Sequence, residues 1–127
     1  MPPHAPVPSN PVDFAGGMRG PLDEVQVADA LAQIDYIDGI ICNAPHFHDH
    51  ENKDEMKTAV EGAEIMAAIP RKYGKPVITL SMHGHGGGGA IGDVMKKAGI
   101  PSYDTPEQCA RAMMALAQYA EVRRKLE

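Results

Sequence analysis

Helix-spaced stripes of apolar residues alternate along this chain with short, continuous apolar runs. Val27, Ala28, Leu31 and Ile34 share one side at helical spacing, and Pro21, Asp23 and Glu24 suit the first turn of that helix. Asp38-Gly39 breaks the pattern. Gly39-Ile40-Ile41-Cys42-Asn43 then reads as a short buried strand that Pro45 stops, and a polar loop runs on to Asn52. Asn52 with Glu55 three residues later is a capping-box-like start. Met56, Ala59, Val60, Ala63 and Ala67 form the apolar stripe of the helix it opens; Pro70 ends or kinks that helix, and Gly74 closes the turn. Val77–Ser81 is the second strand, and after a glycine run a short helix extends to about Lys97. Ala98-Gly99 ends it, and Ile100–Tyr103 is the third strand. Thr105-Pro106-Glu107-Gln108 is the clearest cap in the chain, with Thr at the N-cap, Pro at the first helical position and Gln at the third. The last helix keeps Cys109, Ala112, Met113, Leu116, Ala117 and Ala120 on one side, and Arg123, Arg124 and Lys125 complement its C-terminus.

Strands separated by helical crossovers must run parallel, with right-handed connections. The expected fold is therefore an α/β, three-layer unit with a short parallel sheet near residues 39–43, 76–81 and 100–103. Residues 1–20 hold a cluster of prolines and read as an extended lead-in, leaving 21–127 as one domain.

Composition narrows the partners. The chain is 43% hydrophobic, has no Trp and two Phe, and carries eight Met, so its core is aliphatic and sulfur-rich. A net charge of -5 argues against non-specific nucleic-acid binding. No run approaches the roughly 18 apolar residues of a membrane helix, and no basic-plus-apolar signal sequence follows Met1. A cytoplasmic location is expected, with Cys42 and Cys109 as small, reduced, buried residues rather than a disulfide.

Candidate chemistry sits in the two loops that follow the first and second strands. Gly86-Gly87-Gly88-Gly89 joins a strand to a helix, where the backbone can approach a phosphate closely and helix N–H groups favour anions. The spacing matches neither the Walker pattern nor the dinucleotide fingerprint, and a merely flexible connection is the competing reading. His46, His48 and His50 lie in one loop and His83 and His85 in the other. If the two strands are neighbours, the five imidazoles converge on one edge of the sheet, with Asp49 and Glu51 adding oxygen ligands. Clustered imidazoles suit Zn, Ni, Cu or Fe, with Zn or Ni the expected ions, and three His is a familiar catalytic-zinc set. Solvated histidines without a ligand, or a phosphorylated His83 or His85, are the alternatives.

Four pieces of the chain also form a family pattern. They are Asn10-Pro11-Val12-Asp13; Tyr36-Ile37-Asp38-Gly39-Ile40-Ile41; Lys75-Pro76-Val77-Ile78 before a glycine turn; and Ala98-Gly99-Ile100-Pro101-Ser102-Tyr103-Asp104-Thr105-Pro106-Glu107 feeding a helix with Gln118-Tyr119-Ala120-Glu121. Together these resemble the second flavodoxin-like (succinyl-CoA-synthetase-like) domain of NDP-forming acyl-CoA synthetases, the acetyl-CoA synthetase (ADP-forming) group. The resemblance covers about residues 9–125. It implies a flavodoxin-like fold. It also implies membership of an acid–thiol ligase that uses ATP/ADP, Mg and CoA, with an acyl phosphate and a phosphohistidine as intermediates. The family's phosphohistidine belongs to a different domain, and the second domain helps frame the phosphate site.

Two departures qualify the carry-over. The glycine-rich strand-to-helix turn that opens the family's domain has no counterpart here, so this chain resembles the domain's C-terminal part. The His46-Phe47-His48-Asp49-His50 loop is not a family feature. The expectation is a non-catalytic or phosphate-site-framing piece of such a synthetase, inactive alone and associated with the remaining domains or subunits as a homo- or hetero-oligomer. Nucleic acid and membrane are not among its expected partners. A small metal-binding protein using the loop histidines, or a docking subunit without its own chemistry, are the rivals.

Overall fold

The computed structural model describes residues 9–13, 20, 22–46, 51–81 and 89–127. Within them the order is α1 (Asp23–Ala32), β1 (Ile40–Asn43), α2 (Lys53–Tyr73), β2 (Val77–Leu80), α3 (Gly89–Lys97), β3 (Ser102–Tyr103) and α4 (Pro106–Leu126). The strands form one sheet in the order β1-β2-β3, parallel throughout, with Ile40 opposite Val77 and Thr79 opposite Ser102. Each right-handed crossover steps the same way across the sheet, which puts α2 and α3 on one face. There α1 packs on α2 and α2 on α3, while α4 packs on all three strands and, among the described residues, on no other helix. The expected three-layer parallel unit is what forms.

The core lies between the sheet and the α1–α2–α3 layer. Ile40 and Val77 face it from the strands, and Val25, Ala28, Ala63, Met66, Ile69, Met95 and Ile100 close it. Among the described residues Met66 and Ile69 are the largest fully buried side chains. The apolar stripes are shifted in phase from expectation. In α1 the buried side is Val25, Ala28 and Ala32, and Ile34 lies beyond the helix in a turn. In α2 it is Ala59, Gly62, Ala63, Met66 and Ile69, with Met56, Val60 and Ala67 half-buried. The reason is that α2 is flanked by α1 and α3 as well as the sheet, so its buried arc is wider than one stripe.

Local signals set the ends of α2. Asn52 Oδ1 accepts the N–H groups of Asp54 and Glu55, both at 3.1 Å. Pro70 does not end the helix, which runs to Tyr73 and stops at a left-handed Gly74. Proline removes one donor to the preceding turn. The Pro70 carbonyl still takes the Gly74 N–H at 3.0 Å, so the last turn holds. Two polar clamps fix α1 beside it: Tyr73 Oη donates to Asp29 at 3.0 Å, and Lys75 Nζ donates to the Ile34 carbonyl at 2.6 Å.

Thr105 caps α4 in a complete capping box with Gln108. The helix then outruns the sheet: 21 residues span roughly 31 Å, whereas a strand of 4 residues covers roughly 13 Å. Of the expected stripe only Cys109 is buried. Ala112 and Met113 are half-buried, and Leu116, Ala117 and Ala120 are exposed because no strand lies beneath them. No helix among the described residues is long and apolar enough to cross a membrane. Most of the proline-rich lead-in lies outside the described residues.

Candidate functional site at the carboxyl edge of the sheet

The carboxyl ends of the strands are held level. Ala44 N–H donates to the Leu80 carbonyl at 3.1 Å, and Ser81 N–H donates to the Tyr103 carbonyl at 2.8 Å. Because β1 and β2 are direct neighbours, the loops after them leave the sheet about 5 Å apart. That adjacency was the condition for the two histidine loops to share one edge.

His46 is half-buried just past the end of β1. His48, His50, His83 and His85 lie outside the described residues, as do Gly86, Gly87 and Gly88. Gly89 opens α3 at φ +75°, and a Cβ there would meet nothing within 4 Å. Its glycine is thus required by backbone conformation and not by crowding. Among the described residues no group of three or more His, Cys, Asp or Glu is gathered for a metal ion.

A carboxylate that the sequence reading treated as a helix-dipole residue holds this edge together. Glu24, in the first turn of α1, accepts the backbone N–H of Asn43 at 3.1 Å. The N–H groups of Ile40 and Ala44 point into the sheet, toward Pro76 and Leu80. By the alternation of a strand, that of Asn43 points outward, where a further strand would meet it. Glu24 therefore occupies part of the open edge of β1. Burial pushes its carboxyl above the usual range, opposed by the bonding to Asn43 and by the charge of nearby His46. Its partner is 19 residues away, so no local motif could have revealed the contact.

The two cysteines offer no nucleophile. Burial, with lesser contributions from Glu24 and Cys109, pushes the Cys42 thiol up to about 12. Its Sγ lies 3.9 Å from the Met66 sulfur. Cys109 is buried with its Sγ 3.6 Å from the Thr79 carbonyl, and burial raises its pKa as well. Both thiols stay protonated at neutral pH, which makes them packing residues.

Parallel strands between two helical layers define a flavodoxin-like α/β unit. Comparison with known proteins adds a relative. The chain is 37% identical over 125 residues, 95% of its length, to the alpha subunit of acetate–CoA ligase [ADP-forming] II from Pyrococcus furiosus. It spans 25% of that subunit. The resemblance to NDP-forming acyl-CoA synthetases read from the four motifs is thereby borne out along nearly the whole chain. No family model matches the chain, and no solved structure matches it.

Proposed function

We propose that this chain acts as a phosphate-site-framing piece of an NDP-forming acyl-CoA synthetase, and that it has no ligase activity alone. The observation that carries this reading is the 37% identity to the Pyrococcus ligase subunit over 95% of the chain. The geometry agrees with a framing role. The strand ends are level, Gly89 starts α3 in a left-handed conformation, and neither cysteine is an exposed thiol nucleophile. Making acyl-CoA requires an activated carboxylate, a phosphate carrier and a bound thiol, each held by preorganised charge. ATP, Mg and CoA would be bound by the remaining domains or subunits, with this chain presenting helix N–H groups to phosphate.

Incubation of the isolated chain with ATP, Mg, acetate and CoA is expected to yield neither acetyl-CoA nor phosphorylated protein. Supplying the remaining synthetase domains in trans is expected to restore turnover. Phosphohistidine at His83 or His85 in the isolated chain would overturn the framing role and make these residues the phosphate carrier.

A second reading rests on the direct pairing of β1 with β2. It brings the starts of the two histidine loops together, and Glu24 is near enough to His46 for their charges to interact. On this reading His46, His48, His50, His83 and His85 bind Zn or Ni.

A further inference from the structure

The outer edge of β1 has the pattern to pair with itself, and one side chain stands in the way. β1 is the end strand of the sheet, with β2 on one side and, among the described residues, no strand on the other. The Ile40 and Ala44 N–H groups donate to the Pro76 and Leu80 carbonyls on the β2 side. Strand alternation therefore turns the N–H and C=O groups of Ile41 and Asn43 outward. A second copy related by a two-fold axis at Cys42 would meet those groups antiparallel. Ile41 of each copy would exchange both hydrogen bonds with Asn43 of the other, and the two Cys42 residues would form the intervening pair that shares no bonds. This register uses all the outward groups of the 4-residue strand. The strand's own sequence, Ile40-Ile41-Cys42-Asn43, holds neither a charge nor a proline to discourage it, and Ile41 is 46% exposed.

We propose that Glu24 is the gatekeeper of this edge, and that its side chain keeps β1 from pairing antiparallel with β1 of a second copy. The proposal does not rest on the ligase reading. Glu24 comes from α1, not from the strand, and takes the Asn43 N–H at 3.1 Å from a half-buried position. The self-pairing register needs that same N–H, so each copy must give up its bond to Glu24 before the two strands can join. Across the axis the two Asn43 residues would be diagonal neighbours, about 7–8 Å apart. Pairing would therefore also draw two carboxylates to within about a Debye length, where salt does little to screen their repulsion. An acid held over an outward N–H thus opposes self-pairing twice, by occupying the donor and by its charge.

Hydrogen exchange of the full chain at low and high protein concentration tests this, because it reads the β1 edge apart from any other association. In the parent the Ile41 amide is expected to exchange at the same rate at both concentrations. In Glu24→Ala it is expected to slow at least roughly tenfold at the higher concentration, with a dimer seen by sedimentation velocity. Adding Ile41→Pro is expected to abolish that dimer, since it removes an outward N–H that β2 does not use. Ile41→Lys, which puts a charge on the half-exposed position, is expected to do the same. Ile69→Val weakens the fold at a buried site away from the edge and is expected to behave as the parent does, which separates edge pairing from simple loss of stability. An Ile41 amide whose exchange does not slow in Glu24→Ala would overturn the proposal. So would concentration-dependent slowing in the parent or in Ile69→Val, or a Glu24→Ala dimer that survives both Ile41 changes.

Discussion

Glu24→Gln should leave the protein at least as stable as the parent at neutral pH, whereas Glu24→Ala should weaken it. The carboxylate accepts the Asn43 N–H at 3.1 Å and is half-buried. Gln keeps an acceptor oxygen in the same place. Ala leaves the N–H to water or to nothing, a loss of about 1 kcal/mol for a bond of this kind. Removing the charge has two opposed effects. It surrenders a helix-dipole interaction worth about 0.3–1 kcal/mol, and it relieves the cost of ionising a buried carboxyl. Burial is the dominant effect, because the folded pKa lies above the ordinary value of 4.5. A raised folded pKa means that the folded state binds the proton more tightly than the unfolded chain does. The stabilisation from that proton is fully present below 4.5 and is lost as pH rises through the folded value. Urea unfolding followed by circular dichroism at about pH 4 and about pH 7 measures the sign. Glu24→Gln should gain on the parent between the two pH values, and Glu24→Ala should lie below Glu24→Gln at both. A Gln variant as unstable as the Ala variant at neutral pH would refute the reasoning. The charge, through His46 or the α1 dipole, would then be what holds the edge.

Met66→Ala empties the centre of the aliphatic core and should cost about 2–5 kcal/mol in chemical denaturation. A Cβ at Gly39 would lie 2.8 Å from the Met113 sulfur and 3.2 Å from Pro76 Cγ. Ala there should therefore displace mainly the flexible Met113 tip and nudge Pro76 slightly, whereas Gly39→Val should cost about 1–3 kcal/mol and recover part of it when Met113→Ala is added. If the histidine loops bind metal, zinc or nickel should raise the melting temperature. His48→Ala or His83→Ala should remove the effect, and it should weaken below about pH 6 as imidazole protonates; no shift with either ion would refute the site.

Element types were legible because each rests on short-range chemistry. Asn52 and Thr105 announce their helices by capping, Gly74 stops one by taking a left-handed φ, and the β-branched run at Val77 makes a strand. The parallel sheet followed from the helical crossovers alone. What was not legible depends on which elements touch. Met66 is fully buried because α2 has neighbours on both sides, and a single stripe through Ala63 and Ala67 passes it by. Pro70 looked like a terminus because the sequence shows the missing donor and not the bond that Gly74 returns. Leu116 and Ala120 looked like core because periodicity does not reveal that the strands beneath α4 end after a few residues. Glu24 was visible as a first-turn acid, and its contact with Asn43 exists only once α1 lies against β1.

These misreadings share a cause that bears on how the chain meets other molecules. A three-stranded sheet has two edges and two faces, and this one covers them unequally. Among the described residues one face carries three helices, and the other carries α4 alone. The edge at β1 would be the expected place for another strand to add, and Ile41 stands 46% exposed there. Yet Glu24 takes the outward N–H of Asn43, and a half-buried carboxylate in that position must be displaced before a strand can pair along the full length of β1. The flank of α4 has no such guard. Its apolar side chains Leu116, Tyr119, Val122 and Leu126 are exposed, and the ion pair beside them, Arg123 with Glu127 at 3.6 Å, is itself on the surface. Strand addition would thus have to displace a half-buried carboxylate, whereas contact with α4 would meet only an exposed ion pair. The exposed apolar face of α4 is therefore the more accessible of the two surfaces.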